Sequence, residues 1–567
     1  MLRALWSGLL RLLAFLPLLL VRAWRRLRLR GHGVVRLALG ADRSEQGASL
    51  GASRALIEAI EEMAEDDAVR AVVVDLRGAR GGWASLQELR RVIARLRASG
   101  KLVMTHLDTL ELRDLYLASA ADRVWMTPTG VALVSPVGAR LQFFGDALAA
   151  FGVKVEVVAA GDYKSFGERF SRSYASAPNR EALTTVLTDL EALLVEDIAA
   201  ARGVEQAVVR RVLSAGPMEP EELVELGLID GVAYPDEARE RLRELMGERR
   251  RPTSFGAYFV WRRLERWLAD LGAVRDDVAV VHLEGAIVHG AEAQGGAGSR
   301  IDADRVVPVL DGLRKRGDVR AVVLYVDSPG GSALASDLIA RSVGRLAAKK
   351  PVVAAFHNVS ASGGYYLSAP ASEIVAREGT ITGSIGVIGG KVVVGPALAR
   401  LGVHGETVSP TPGAGFLAPW RGFDRCERER YQGMLQRTYD RFLAVVSGGR
   451  KRPVAAIHEV AQGRIWTGRQ ALEHGLVDHL GGLDVAVERA QRLAGLEPHR
   501  GRLRHVRFPP PRLSVLRALI RRRVATAGIV ELVFERLGRA GTIARLLHAQ
   551  PGVPLALLPW DIDGVQE

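Results

Sequence analysis

Three short stretches of this chain carry residues able to do acyl-transfer chemistry. Ser362, followed by Gly363 and Gly364, lies in NVSASGGYYLS at 358–368. Gly330 and Gly331 lie in DSPGGS at 327–332, and Lys164 lies in GDYKSFGERF at 161–170. A serine hydroxyl is a poor nucleophile until a neighbouring base takes its proton. A lysine can be that base when burial or nearby charge lowers its pKa from ~10.4 toward neutrality. A glycine after the serine lets a substrate approach and frees a backbone N–H for an oxyanion. Gly330 or Gly331 would supply the second donor. Ser384, in TGSIG, either orients the lysine ammonium or caps a turn. Taken singly, each stretch is an ordinary turn or a solvated cation. Their weight comes from how they are distributed along the chain.

That distribution is a split duplication. VRAVVVD at 69–75 matches VRAVVLY at 319–325, YLASAADRVW at 116–125 aligns with YLSAPASEIV at 366–375, and FGVKVE at 151–156 with LGVHGE at 401–406. All three pairs share an offset of 250 residues, and ELGLID at 225–230 matches EHGLVD at 473–478 with an offset of 248. At the chemical positions the repeats differ. Ser362-Gly363-Gly364 aligns with Leu112-Arg113-Asp114, and Lys164 aligns with Ala414. One repeat keeps the serine and its glycine turns; the other keeps the lysine.

The elements that must position these residues alternate between strand and helix signals. AVVVDL and AVVLYV are short β-branched runs typical of buried strands. SLQELRRVIARLRA and ALASDLIARSVGRLAA follow with helical periodicity, then KLVMTHL and KPVVAAFH return to strand. Strand, helix, strand of this kind implies parallel pairing through right-handed crossovers. The fold class is α/β, present twice.

The 567 residues, 48% hydrophobic and 25% charged, exclude a largely disordered chain or a polytopic membrane protein. A single cysteine, Cys426, excludes an intrachain disulfide framework and a Cys-rich zinc site. The net charge of +13 sits in the two tails. Residues 1–30 hold seven Arg and no acid; residues 501–567 hold eleven Arg and five acids; the body between is neutral. A neutral body with basic, apolar tails suits a membrane surface better than nucleic acid. The division expected is 1–30, a membrane anchor or interfacial helix; 31–245, the first repeat; 246–275, a linker whose Trp and Tyr suggest packing; 276–499, the second repeat; and 500–567, a basic extension.

In its motifs the chain resembles the signal peptide peptidases of the long, duplicated type, also called protease IV. The resemblance covers about residues 31–500 and rests on YKSFGE (163–168), DSPGGS (327–332), SASGGYY (360–366), TGSIGV (382–387), GRIWTG (463–468) and ALEHGLVD (471–478). It implies a ClpP/crotonase-like fold in tandem and a Ser–Lys dyad, with Ser362 as nucleophile and Lys164 as general base. It implies hydrolysis of leftover signal peptides at the bacterial inner membrane, assembly as a tetramer, and no metal or organic cofactor. Family resemblance favours the periplasmic face, whereas the Arg cluster at 22–30 favours the cytoplasmic one. Arg169 departs from the family, where a Pro after Glu168 is more typical.

Three rival readings stand beside this one. The first is a Ser–His–Asp triad using His357 and Asp327. The second is a crotonase-type acyl-CoA enzyme, which would need the oxyanion turns and no nucleophile. The third is a non-catalytic, membrane-bound scaffold.

Overall fold

The computed structural model describes residues 15–23, 33–40, 50–246, 252–269, 277–290, 299–411, 413–497, 503–506 and 555–557. The first repeat contributes strands β1 (Val34–Gly40), β2 (Ala71–Arg77), β3 (Leu102–Leu110), β4 (Arg123–Leu133), β5 (Lys154–Ala160), β6 (Pro217–Met218) and β7 (Gly231–Val232). The joining segment adds β8 (Thr253–Ser254). The second repeat contributes β9 (Val278–Glu284), β10 (Ala286–Val288), β11 (Arg300–Asp302), β12 (Ala321–Ser328), β13 (Gly330–Ser332), β14 (Val352–Ala361), β15 (Glu373–Ala376), β16 (Ile381–Gly383), β17 (Val387–Val393), β18 (Ile465–Thr467) and β19 (His479–Leu480). Two short strands follow, β20 (Arg504–Val506) and β21 (Leu555–Leu557).

A seven-stranded sheet runs β6-β4-β3-β2-β1-β8 with β7 beside β4, and an eight-stranded sheet runs β18-β16-β14-β12-β9-β20 with β15 and β19 alongside. The central strands of both pair in parallel, β1–β2–β3–β4 in one and β9–β12–β14 in the other. Parallel strands are covered on both faces, which is why these runs lack the polar alternation of a half-exposed sheet. Every residue from Ala321 to Val326 is buried. The crossover helices form where the 3.6-residue periodicity begins. Trp83–Ala98 buries Trp83, Ala84, Leu86, Val92, Ile93 and Leu96. Ala333–Ala347 starts at Ser332, whose hydroxyl accepts from the Ala335 N–H.

The third sheet crosses between the repeats. Its order is β11-β10-β13-β21-β17-β5. β5 belongs to the first repeat in sequence but pairs antiparallel with β17 along seven positions, Val387↔Ala160 to Val393↔Lys154. Val158 and Ala160 accordingly pack into the second repeat's core. In the other direction, Val359, Ala361, Ile381 and Ile465 pack into the first repeat's core. Burying a Val, Leu or Ile side chain is worth roughly 1.5–3 kcal/mol, so this exchange ties the repeats into one body. Polar contacts reinforce it: Arg469 reaches Asp189 at 2.7 Å, Arg464 reaches Glu181 at 2.6 Å, and Arg377 pairs with Glu88.

The segment between the repeats is structured where it is described. β8 pairs with β1, and the helix Phe255–Ala269 buries Tyr258, whose hydroxyl donates to Asp66 at 3.0 Å. At the other end, residues 15–23 are helical, and Arg22 of that turn meets Glu265 at 2.8 Å. Phe15, Leu16, Leu19 and Leu20 are exposed on it. Among the described residues no helix is long and apolar enough to cross a membrane; most of the membrane anchor or interfacial helix expected at residues 1–30 lies outside them. Residues 1–14 and 24–30 lie outside the described part, as does most of the basic extension after Val506.

Candidate active site

Strand β14 ends at Ala361, and the helix Gly363–Ser368 begins at once. Ser362 therefore sits alone in the turn between them, with φ 54° and ψ −116°. A non-glycine residue held there is strained, and the strain is maintained by its surroundings. The Ser362 N–H donates to the Gly383 carbonyl at 2.8 Å, and its own carbonyl starts the helix by accepting from Tyr366 at 2.8 Å. This strained turn presents the hydroxyl at the carboxyl end of a parallel strand.

Lys164 arrives by another route. β5 ends at Ala160, and the loop Gly161–Gly167 turns back toward the second repeat. Two contacts with the loop before β18 hold it. The Tyr163 N–H donates to the Gln462 carbonyl at 2.8 Å. Gly463, at φ +85°, lies so close beneath Lys164 that a Cβ there would stand 2.5 Å from the lysine backbone nitrogen. Gly463 is held in turn by its N–H to the Ile385 carbonyl at 2.8 Å.

The two routes converge. Lys164 Nζ lies 2.7 Å from Ser362 Oγ, 2.9 Å from Ser384 Oγ and 2.9 Å from the Ser384 carbonyl oxygen. Lys164, Ser362 and Ser384 are all buried. Burial holds the Lys164 amine well below the usual lysine range, because a cation there would be cut off from water. Ser384 itself adopts φ 50°. That twist lets both its hydroxyl and its carbonyl face the same amine.

The glycine turns abut this cluster. A Cβ on Gly363 would meet Gly330 Cα at 3.3 Å and Ser336 Oγ at 2.6 Å, so only glycine lets the two turns approach. Gly331 lies against Ile287, where a Cβ would stand 2.1 Å from the carbonyl oxygen. The Gly330 N–H donates to Ser328 Oγ at 3.2 Å. Among the described residues no cluster of three or more His, Cys, Asp or Glu could hold a metal ion.

His357 and Asp327 do not join this cluster. His357 Nδ1 lies 2.7 Å from the Tyr325 hydroxyl and Nε2 lies 2.9 Å from Ser85 Oγ, so both ring nitrogens are engaged away from Ser362. Burial lowers its pKa to about 4. Asp327 accepts from the Val359 N–H at 3.0 Å, and its pKa is pushed up to about 7, by burial first and then by Glu284.

The matching position in the first repeat is closed. Leu112 stands where Ser362 does, and Asp114 stands where Gly364 does. The Asp114 carboxylate accepts from the Ala79 N–H at 2.8 Å and from the Glu111 N–H at 3.3 Å. A side chain thus fills the turn that the second repeat leaves open.

The sequence does not single out Gln462 or Gly463. Gly463 opens the GRIWTG motif, but nothing in the sequence ties that glycine to a loop 299 positions earlier.

Comparison with known proteins agrees with this architecture. The model of peptidase family S49 matches twice, at residues 95–248 and 344–497. The chain is 32% identical over 419 residues to the chloroplastic serine protease SPPA of Arabidopsis thaliana, an alignment covering 73% of this chain and 62% of that protein. It is 30% identical to protease 4 of Salmonella typhi, over 78% of this chain and 72% of the relative. With protease 4 of Haemophilus influenzae the identity is 29%, over 77% and 72%. Two matches to one domain family, in register with the internal duplication, make the chain a serine peptidase of family S49 with a duplicated peptidase domain.

Proposed function

We propose that this peptidase is a membrane-associated endopeptidase that degrades cleaved signal peptides and other apolar peptides through a Ser362–Lys164 dyad. The observation that carries the reading is the 2.7 Å approach of Lys164 Nζ to Ser362 Oγ in a buried pocket. A neutral amine has two N–H bonds and one lone pair. Lys164 has three neighbours in reach: a carbonyl oxygen that can only accept, and two hydroxyls. The two N–H bonds are satisfied by the carbonyl and hydroxyl of Ser384, which leaves the lone pair for the Ser362 O–H. Ser384 is then a positioning residue for the base.

The reaction follows from that arrangement. Lys164 accepts the Ser362 proton as Oγ bonds to the peptide carbonyl carbon, and the carbonyl electrons move to its oxygen. The oxyanion is stabilised by the Gly363 N–H and by Gly331 or Gly330, each donor worth ~3 kcal/mol. Of the latter two, Gly331 is favoured while Gly330 donates to Ser328. As the C–N bond breaks, the Lys164 ammonium protonates the leaving amine. Water, deprotonated by Lys164, then attacks the acyl-enzyme and restores Ser362. Each repeat is read as a ClpP/crotonase-like unit, supported by the parallel β9–β12–β14 core with its strand-turn-helix at Ser362.

The remaining features belong to the same proposal. Exposed Phe15, Leu16, Leu19 and Leu20, within a stretch of seven Arg, suit a lipid surface at the bacterial inner membrane. Exposed Phe151, Leu401 and Val403 gather where Gly152 packs against Ala397, a patch suited to self-association as a tetramer. The family resemblance supports a body on the periplasmic side; the Arg cluster at 22–30 supports the alternative, the cytoplasmic face.

The test is hydrolysis of an apolar signal-peptide substrate by wild type, Ser362→Ala and Lys164→Ala. The dyad requires each variant to lose at least ~10³-fold in kcat while remaining folded. Full activity in Ser362→Ala would overturn it.

A further inference from the structure

Strand β14 changes partner just before the nucleophile. From Val353 to Phe356 it pairs with β15, and from Val359 to Ala361 it pairs with β16. Along its other edge lies β12, but the two run out of step. Val326 faces Phe356, whereas Ser328 faces Ser360. Three residues of β14, His357, Asn358 and Val359, therefore stand opposite Asp327 alone. Such a bulge takes backbone N–H groups out of the ladder and re-aims the strand beyond it. Here that strand leads through Ser360 and Ala361 to Ser362. Its new partner, Ile381–Gly383, leads to Ser384. The register set at the bulge thus brings the nucleophile level with the residue that holds Lys164 Nζ.

Two side chains hold the bulge. Asp327 Oδ1 accepts from the Val359 N–H at 3.0 Å, and Oδ2 accepts from Asn358 Nδ2 at 3.4 Å. The other end of that amide crosses to the first repeat, where Asn358 Oδ1 accepts from the Ser85 N–H at 2.9 Å. Ser85 lies in the first turn of the helix Trp83–Ala98, whose N-cap, Gly82, has no side chain to offer. Asn358 caps that helix from the other repeat. Gly82 makes room for it, since a Cβ there would stand 2.4 Å from Asn358 Oδ1. The amide is thereby oriented, oxygen toward Ser85 and nitrogen toward Asp327.

The first repeat has lost this device. Arg77 stands at the position of Asp327, and an arginine has no acceptor for an N–H. Asp108 stands at the position of Asn358, and its carboxylate accepts instead from the Thr127 hydroxyl at 2.6 Å on the surface. That repeat has Leu112 in place of the serine and no nucleophile to aim.

We propose that Asp327 and Asn358 are positioning residues for Ser362: together they lock the bulge that sets the register of the nucleophile strand, and they fasten that strand to the first repeat. The proposal rests on the dyad reading of the site and adds to it the bridge that aligns the nucleophile. Both residues act through the backbone of β14. Their loss should therefore slow the chemical step and leave substrate affinity as it is.

The test exchanges the two groups in the full chain. With its oxygen serving Val359, the amide of Asp327→Asn turns N–H bonds toward those of Asn358. Asn358→Asp sets two carboxylates face to face. The double variant Asp327→Asn/Asn358→Asp gives every donor an acceptor again: Val359 and Ser85 each donate to an oxygen, and the amide at 327 donates to the carboxylate at 358. Hydrolysis of an apolar signal-peptide substrate is followed at roughly pH 8.5, where the Asp327 carboxyl, with its pKa of about 7, is ionised. Each single variant is expected to lose at least ~10-fold in kcat with KM unchanged. The double variant is expected to return to within ~3-fold of wild type. Asp327→Ala removes the acceptor without setting like groups together, and it should lose the same factor as Asp327→Asn. A merely structural role would lower the melting temperature, leave the kcat of the folded enzyme unchanged and so overturn the proposal. A double variant no better than the single ones would overturn it too. Ser362→Ala is measured alongside. If it stays fully active, the dyad reading and this one fall together; if it is dead while the single variants keep the wild-type kcat, only this one falls.

Discussion

Gly463 and Lys164 are 299 positions apart, yet a methyl group on the glycine would stand 2.5 Å from the lysine backbone nitrogen. The base is thus aimed from below by a residue of the other repeat. Gly463→Ala faces both that clash and a φ of +85°, a conformation that costs an alanine on the order of 1 kcal/mol or more. The loop must shift, and a displacement near 1 Å costs about 10²-fold in rate. The expected result is a kcat lowered by about that factor with a modest loss in melting temperature. Unchanged kcat would mean that Gly463 does not position the base.

The lowered pKa of Lys164 links activity and stability to pH. Activity should fall as pH drops through the lowered folded value, because the protonated amine cannot accept from Ser362. Stability follows the same direction. The unfolded chain's lysine holds a proton up to about pH 10.4, whereas the folded one has released it. Folding is therefore opposed at pH values below the unfolded pKa, increasingly so down to the folded one. Lys164→Met removes that opposition. It should melt higher than wild type at pH 7 to 8 while being inactive. A lower melting temperature across this range would count against a neutral, buried amine.

Ser384 offers two acceptors to the amine, one of them a side chain. Ser384→Gly keeps the positive φ at no steric cost and deletes the hydroxyl. We expect kcat to fall about 10-fold, with the acid limb of the pH profile moved to lower pH because the ammonium loses an acceptor. KM should be unchanged. If only the melting temperature moves, Ser384 is a turn residue and nothing more.

His357 provides the control for the base assignment. It is buried, it faces Tyr325 and Ser85, and its pKa lies at about 4. An unfolded histidine titrates near 6.5. Its contribution to stability is therefore whole above pH 6.5 and is lost as pH falls toward 4, on the order of 3 kcal/mol at the limit. His357→Gln should flatten that part of the stability profile and leave kcat within about 3-fold. Loss of activity as deep as that of Lys164→Ala would revive the triad.

The sequence by itself determined the duplication, because homologous strands and helices keep their periodicity and a near-constant offset wherever the core needs them. It also determined the division of chemistry. Ser362 with its glycine turns occurs in one repeat and Lys164 in the other, and these are residue types whose use depends on a partner. Leu112 and Asp114 at the matching positions likewise announce that the first repeat has no nucleophile. Only the tertiary structure decided how the two halves meet. β5 leaves its own repeat to pair with β17, and Gly463 admits the lysine loop, because backbone edges and steric clearance act between residues hundreds of positions apart. Pairing partners of edge strands leave little trace in composition or periodicity, since any extended segment can satisfy a backbone N–H or C=O. For that reason β21 lay hidden in what read as a basic tail. Its place beside Gly330 emerges only when the third sheet is assembled.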